Sequence, residues 1–166
     1  MQIIPSITAA LSFYEIEDKI RQVEGLVEWV QIDVADGEFA MPLSWPYTEG
    51  DVDTAIGELK NLMTDLKIEL HLMVKNPEDT LDEWIDTPAS RIFVHYEAVK
   101  NIEEDLTVLD MSKTECGLAL NLNTPLDVVG EFIDRIDDVQ LMSIKELGHY
   151  GAHFEEEVIE RIKTLR

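Results

Sequence analysis

Short aliphatic runs recur along the chain and alternate with amphipathic stretches that carry most of the charge. The aliphatic runs predict six strands, which begin near Ile3, Trp29, Ile68, Arg91, Cys116 and Val139. The amphipathic stretches predict helices over Phe13–Glu24, Asp51–Asp65, Asn76–Ile85, Ile102–Leu109, Pro125–Ile136 and Glu155–Leu165. Regular alternation of strand and helix indicates parallel βαβ units joined by right-handed crossovers.

The two faces of the predicted strands differ in polarity, and this difference separates two fold classes. One parity is aliphatic, as at Val30, Ile32 and Val34. The other parity is mostly polar or sulphur-containing, and it comprises Ser6, Gln31, Asp33, Glu69, His71, Met73, His95, Glu97, Asn121, Gln140 and Met142. A doubly wound sheet has helices on both faces, so its central strands are apolar on both parities. The pattern therefore favours an α/β protein of the (β/α)8 TIM-barrel type, with polar side chains converging inside.

The number of units is smaller than this fold class requires. The 166 residues hold six βα units, whereas a closed barrel has eight strands and at least ~200 residues. The sequence is accordingly interpreted as one barrel domain over 1–166 that lacks the last two βα units. Either the chain is a fragment, or it closes by association with another copy. Unpaired strand edges favour association, so a homo-oligomer is expected.

Composition narrows the range of partners and compartments. The chain has 35 acidic and 13 basic residues, and its net charge of −22 disfavours binding to nucleic acid or to an anionic membrane surface. Any bound phosphate would therefore depend on local backbone amides. No apolar run approaches the ~20 residues that span a bilayer, and Met1 leads directly into a strand-like segment, so no signal peptide is expected. Cys116 is the single cysteine, which favours a reducing cytoplasm.

The densest group of chemically competent residues follows the second strand, from Gln31 to Gly37. Asp33 and His71 share the inward parity and lie at the ends of neighbouring strands. A carboxylate and an imidazole in this arrangement suit a divalent metal ion such as zinc, iron or manganese. They suit acid–base chemistry equally well, or a hydrogen bond that merely holds two strands together. The spacing leaves these alternatives open.

Three further groups of residues have weaker signals. His95 and Glu97 form a second inward pair, for which a buried polar network is favoured over metal ligation. Asn121 suits either a substrate hydroxyl or the loop backbone. Gly148 and Gly151 precede the last helix, where bare N–H groups could bind an anion, although ordinary loop flexibility explains them as well.

Taken in order, these segments resemble the ribulose-phosphate 3-epimerase family over essentially the whole chain. Ile4-Pro5-Ser6-Ile7 resembles the first strand of the family, and the segment from Gln31 to Gly37 resembles its His-x-Asp-Val-Met-Asp-Gly motif. Further matches cover the family's third, fourth and fifth strands, its Met-Ser-Val segment and its phosphate loop, at Leu70–Val74, Val94–Ala98, Leu120–Pro125, Met142–Ile144 and Gly148–Phe154.

The resemblance implies a reaction and a set of residues. The reaction is the interconversion of D-ribulose 5-phosphate and D-xylulose 5-phosphate by metal-assisted proton transfer at C3 through an enediolate. Asp33 is the implied catalytic acid–base residue. Asp33 and His71 are the implied ligands of zinc, iron or manganese, and Gln31 is a poor substitute for a third. The implied substrate-binding residues are Ser6, His71, Met73, Asn121, Met142, Gly148 and Gly151.

Departures from the family pattern weaken the implied site. Gln31 stands where the family has its first metal histidine, and Ala35, His149 and Ala152 also differ from the motifs. The seventh strand, which supplies the family's second catalytic aspartate and a metal ligand, has no counterpart among the six units. A weakly held metal is therefore expected. The alternatives are a non-catalytic sugar-phosphate-binding relative and an incomplete barrel with an assembly role.

Overall fold

The computed structural model describes residues 2–166 as one parallel sheet whose strands alternate with helices. The strands are β1 (Ser6–Ile7), β2 (Trp29–Ala35), β3 (Lys67–Met73), β4 (Arg91–His95), β5 (Glu115–Leu120) and β6 (Asp138–Leu141). The α-helices are α1 (Phe13–Val23), α2 (Val52–Gly57), α3 (Leu81–Ile85), α4 (Ile102–Asp110), α5 (Asp127–Phe132) and α6 (Glu157–Leu165). Short 3₁₀ turns follow α2 and precede α3, at Glu58–Asn61 and Pro77–Asp79.

The order of strands in the sheet is the order in the chain, and every pairing is parallel. Right-handed crossovers that always advance in one direction bring all the helices to one face of the sheet. The sheet therefore curls around its other face into part of a barrel, which confirms the predicted TIM-type architecture. Among the described residues, β1 pairs only with β2 and β6 only with β5, so this arc of the barrel is open.

The register confirms that the two faces of the sheet differ in polarity. Ile32, Leu70 and Ile92 are aligned across β2, β3 and β4, and they are almost completely buried against the helices. Trp45 and Trp84 join this core, with their ring centroids 6.1 Å apart in an edge-to-face arrangement. The inward face has a row of polar residues, but Phe93 and Gly117 lie among them.

An ionic network closes the barrel interior at the end where the strands begin. The Arg91 guanidinium contacts carboxylate oxygens of Glu69, Glu115 and Asp138 at 3.3, 2.6 and 2.9 Å. Its Cζ atom also lies 4.7 Å from the centroid of the Trp29 ring, within range of a cation–π interaction. Burial raises the pKa of Glu69, although the charge of Arg91 opposes the shift. Side chains therefore fill this end of the barrel interior. A functional site is expected at the opposite end.

Several predicted element bounds were too long. The first strand was expected from Ile3 but pairs with β2 only at Ser6 and Ile7, because Pro5 has no N–H and contributes only its carbonyl, which accepts from the Gln31 N–H at 2.9 Å. The helix expected over Asp51–Asp65 ends as α2 at Gly57, a residue that disfavours helix.

No helix among residues 2–166 has the length and apolar character needed to cross a bilayer.

A groove of about 500 Å³ borders β6 on the open side of the sheet, and its lining includes Ile133, Val139, Ile162 and Leu165. The expected homo-oligomer and cytoplasmic location stay predictions.

Gly117 offers a test of the packing inside the barrel. A Cβ atom at this position would overlap the ring of Phe93 on β4, so we expect Gly117→Ala to lower the free energy of unfolding by ~1–3 kcal/mol. Gly130 is the matched control, because it is exposed on α5 with nothing within 4 Å of an added Cβ. There the same substitution should stabilise the protein by ~0.5–1 kcal/mol through helix propensity. Urea unfolding of both variants measures the two effects, and equal effects at the two sites would contradict the packing described here.

Candidate active site

Asp33 and His71 lie opposite each other in the parallel register of β2 and β3. Asp33 Oδ1 is 3.1 Å from His71 Nδ1, and the two side chains are 11% and 1% exposed. Asp33 and His71, which share the polar parity of their strands, are therefore neighbours in the structure. Both lie near the carboxyl ends of their strands, where barrel enzymes have their active sites.

The Asp33 carboxylate is surrounded by hydrogen-bond donors. Oδ1 accepts from Gln31 Nε2 at 2.6 Å, and Oδ2 accepts from the hydroxyls of Ser6 and Thr8, both at 2.6 Å. Burial acts to raise the pKa of Asp33, but the hydrogen bond and charge of His71, with the two hydroxyls, together outweigh it and lower the pKa to about 2. Asp33 is therefore ionised at neutral pH.

A chain of hydrogen-bonded side chains extends from Asp33 across the barrel. His71 Nε2 lies 2.9 Å from His95 Nε2, and His95 Nδ1 lies 3.1 Å from Glu97 Oε2. Glu97 Oε1 accepts the backbone N–H of Asn121 at 2.8 Å and the Thr124 hydroxyl. One polar chain thus links β2, β3, β4 and the loop after β5.

Burial and hydrogen bonding determine the protonation states of His95 and Glu97. It lowers the pKa of His95 to about 4, although Glu97 partly opposes the shift, so His95 is neutral at pH 7. Burial acts to raise the pKa of Glu97, but hydrogen bonds from His95, Thr124 and Asn121 outweigh it and lower the pKa. Glu97 is therefore a carboxylate at neutral pH.

The loops after β2 and β6 cover this row of hydrogen-bonded side chains. The Phe39 ring lies 4.9 Å from the His95 ring, and Leu147 packs against the same small apolar cluster, which includes Met73. A cavity of about 640 Å³ opens above, and its lining includes Phe39, Met41, Asn121, Lys145 and His149. Asp33 and His71 do not line this cavity. Phe39 contacts His95 and also lines the cavity, so its ring lies between the His95 imidazole and the cavity.

Other residues expected at the site are distributed around this centre. Gln140 Nε2 lies 3.3 Å from His71 Nδ1 and 3.7 Å from Met142 Sδ, so Met142 is close to the centre. Gly148 and Gly151 have φ angles of +80° and +71° in the loop after β6. This loop reaches back to β1, where the Tyr150 hydroxyl accepts the Thr8 N–H at 2.9 Å.

The sequence pattern predicts Asp33–His71 and His95–Glu97 as separate pairs, and it gives no role to Thr8 or Thr124. A signal for the missed contacts exists. Thr8 follows Ser6 on the same parity, and His71 and His95 share the inward parity of adjacent strands. The direct contact between the two imidazoles depends on the curvature of the sheet, which the sequence pattern does not specify.

The donor set for a metal ion is incomplete. The separation of Asp33 Oδ1 and His71 Nδ1 is compatible with two atoms bound to one ion at bond lengths of ~2.0–2.2 Å. Within residues 2–166, however, no group of three or more histidine, cysteine or acidic side chains is arranged to hold a metal. The Gln31 amide donates an N–H to Asp33 rather than presenting an oxygen. Catalytic centres commonly use three protein ligands, so the described residues do not fit a complete metal centre.

Comparison with known proteins gives a consistent result. The model of the Ribulose-phosphate 3 epimerase family matches residues 2–166. Ribulose-5-phosphate-3-epimerase, chloroplastic, from Arabidopsis thaliana is 28% identical over 98% of this chain and 56% of its own length. Ribulose-phosphate 3-epimerase from Bacillus subtilis is 28% identical over the full chain and 73% of its own length. The same enzyme from Chlamydia pneumoniae is 31% identical over 98% of this chain and 67% of its own length. The chain thus spans roughly half to three quarters of the length of these relatives.

The lowered pKa of Asp33 makes a prediction about stability. A carboxyl whose pKa falls from 3.8 in the unfolded chain to about 2 in the folded protein stabilises the fold by ~2 kcal/mol above pH 4. This contribution decreases as the pH falls through 4 toward 2. Asp33→Asn should therefore be ~2 kcal/mol less stable than the wild type at pH 6, and the difference should narrow below pH 4.

Urea unfolding at a series of pH values measures this difference. Asp65→Asn, which changes an exposed carboxylate outside the centre, is the control and should leave the stability nearly unchanged. A difference between wild type and Asp33→Asn that stays constant from pH 6 to pH 3 would contradict the hydrogen-bonded state of Asp33.

Proposed function

Because the chain belongs to the Ribulose-phosphate 3 epimerase family, we propose that the protein interconverts D-ribulose 5-phosphate and D-xylulose 5-phosphate. The observation that carries the proposal is the buried Asp33 carboxylate at the carboxyl end of β2, in contact with His71 from β3. The family match covers both strands. Reactive groups at strand ends are where a barrel enzyme holds its substrate.

Asp33 has the role of base on one face of the sugar. Its carboxylate takes the proton from C3, and the electron pair of the broken C–H bond forms a double bond between C2 and C3. The π electrons of the C2 carbonyl move to its oxygen, which gives the enediolate. Return of a proton to the opposite face gives the epimer, and this step requires a second acid–base group. No residue among 2–166 is assigned to that second role.

The hydrogen bonds around Asp33 set a requirement for the reaction. A carboxyl group with a pKa of about 2 is a weak base. Ser6 and Thr8 supply two of its four donors, and substrate hydroxyls that displace these donors would raise the proton affinity of Asp33. Substrate binding and activation of the base are then one event.

The cavity above Phe39 is the proposed entrance for the substrate. Asn121 lines it from the loop after β5, and its volume of about 640 Å³ suits a small ligand. Gly148 and Gly151, in the loop after β6, are the proposed source of backbone N–H groups for the phosphate, since the overall charge of −22 gives an anion no general attraction.

A non-catalytic sugar-phosphate-binding protein is the second candidate. It is favoured by Gln31, whose amide N–H stabilises the Asp33 carboxylate and so weakens it as a base. Calorimetric binding of ribulose 5-phosphate without any conversion to xylulose 5-phosphate would support this candidate over the epimerase.

Replacing the proposed base tests the epimerase directly. Asp33→Asn keeps the size of the side chain but removes its ability to accept a proton, so turnover of ribulose 5-phosphate should fall by at least ~100-fold. A coupled assay for xylulose 5-phosphate measures the rate, and Asp65→Asn is the control. Turnover of Asp33→Asn within a few-fold of the wild type would remove Asp33 from the mechanism.

The hydroxyl of Thr8 provides a test in the pH profile. Thr8→Val removes one donor from the Asp33 carboxylate and should raise its pKa. The acidic limb of kcat/KM should then shift to higher pH by roughly 1 unit, because a hydrogen bond to a charged group contributes about 1.5–3 kcal/mol. Thr64→Val, at a hydroxyl outside the site, should leave the profile unchanged. A shift to lower pH would contradict the role given to Asp33.

A further inference from the structure

The Tyr150 hydroxyl connects the loop after β6 to the residues around Asp33. Its oxygen accepts the Thr8 backbone N–H at 2.9 Å, and Thr8 in turn donates its hydroxyl to Asp33 Oδ2 at 2.6 Å. Thr8 is therefore the single residue between Tyr150 and the proposed base. Tyr150 itself is exposed to solvent, so a ligand can approach it.

The O–H proton of Tyr150 is not used in these contacts. The phenolic oxygen accepts from two groups that donate, the Thr8 backbone N–H and the Lys19 ammonium, whose Nζ lies 3.2 Å away. A tyrosine hydroxyl both accepts and donates, so its own proton remains for a further partner. Within residues 2–166 that proton has no acceptor. An oxygen atom of a ligand can take this place.

Lys19 contributes a positive charge beside this hydroxyl in a chain whose net charge is −22. Glu15, one helical turn earlier on α1, is the carboxylate expected to pair with it, but Glu15 Oε2 accepts the Leu11 backbone N–H at 2.8 Å instead. Within the described part of the chain, Lys19 forms no ion pair with a carboxylate. Its Nζ lies 5.4 Å from the centroid of the Tyr150 ring, so the charge is held against this side chain.

The backbone next to Tyr150 leaves room for a ligand. Gly151 has a φ angle of +71°, and no atom lies within 4 Å of the position that a Cβ would occupy. A cation, an O–H donor and open backbone together suit a compact oxyanion, since hydrogen bonds to an ionised acceptor are the strong ones. The group with this chemistry in a sugar phosphate is its phosphate.

We propose that Lys19 and Tyr150 form the anion subsite of this protein, where the ammonium and the phenolic O–H donate to the phosphate oxygens of the substrate. This role rests on the proposed function and assigns the phosphate of the same substrate to two side chains. In ribulose 5-phosphate, C4 and C5 separate C3 from the phosphate ester oxygen. In the protein, Thr8 alone separates Asp33 from Tyr150, so one substrate molecule can reach both groups.

Two variants test the subsite through the affinity for phosphate compounds. Lys19→Met should raise KM for ribulose 5-phosphate by ~10–100-fold and leave kcat within a few-fold, because it removes a charged hydrogen bond made equally in the ground and transition states. Tyr150→Phe keeps the ring and should change KM in the same direction. Calorimetry should show weaker binding of inorganic phosphate and of ribulose 5-phosphate to both variants. Unphosphorylated ribulose should bind the wild type and the variants equally.

Matched controls separate this subsite from general effects of charge or of the hydroxyl. Lys113→Met changes the net charge by the same amount at an exposed lysine that precedes β5, at the other end of the barrel. Tyr14→Phe removes the hydroxyl of an exposed tyrosine on α1. Both controls should leave KM and the affinity for phosphate unchanged. Lys19→Arg keeps the charge and should retain most of the affinity.

Several results would overturn the subsite: no binding of inorganic phosphate or ribulose 5-phosphate to the wild type, unchanged affinities in Lys19→Met and Tyr150→Phe, or an equal loss in Lys113→Met. Weaker binding of inorganic phosphate to Lys19→Met with an unchanged KM would indicate a site for free phosphate and would also contradict the proposal. A wild type without turnover, whose affinity for ribulose 5-phosphate falls in Lys19→Met, would remove the proposed reaction but support the subsite. Turnover with a KM that neither variant changes would keep the reaction and remove the subsite.

Discussion

The parallel register of β2 and β3 is the constraint on which the site depends. Seven residue pairs hold these strands together, and the pairing puts Asp33 opposite His71. Because side chains alternate between faces, a slip of one residue would turn Asp33 into the apolar layer and bring an aliphatic residue inside. The completely buried row that includes Ile32 and Leu70 prevents this slip, since those side chains pack under the helices. The apolar core therefore determines the geometry of the polar interior.

The interior is polar along most of its length, yet its ionisable groups have polar partners. At one end Arg91 contacts three carboxylates, and at the other a carboxylate, two imidazoles and a second carboxylate are in contact in sequence. Burying such groups without partners would cost several kcal/mol each. Phe93 lies between Arg91 and His95 on the inward face of β4, opposite Gly117 on β5. On β4 an aromatic ring thus separates the structural network from the network proposed for chemistry.

Much of the fold follows from the sequence because strand parity and the order of elements report burial directly. The alternation around Asp33 and His71 predicted both the barrel class and the proximity of those two residues. The length of α2 and the position of Phe39 did not follow from the sequence, because they depend on loops whose conformation is set by tertiary contacts. The contact between His71 and His95 was missed for a related reason. Parity gives the face of a strand, whereas the distance across two strands also depends on how strongly the sheet curves.

Gly148 belongs to a motif that is associated with phosphate binding, but the fold itself requires a glycine at this position. Its φ angle is +80°, and a Cβ atom there would overlap the Met41 carbonyl oxygen in the loop after β2. Any other residue would be strained by the backbone conformation and would push the two loops apart. The glycine is thus required by the contact between the loops, even without a phosphate. In a comparison of relatives, a glycine at this position therefore says little about whether a sequence has kept or lost its ligand, and the side chains at positions 31, 33 and 71 are the better markers of divergence.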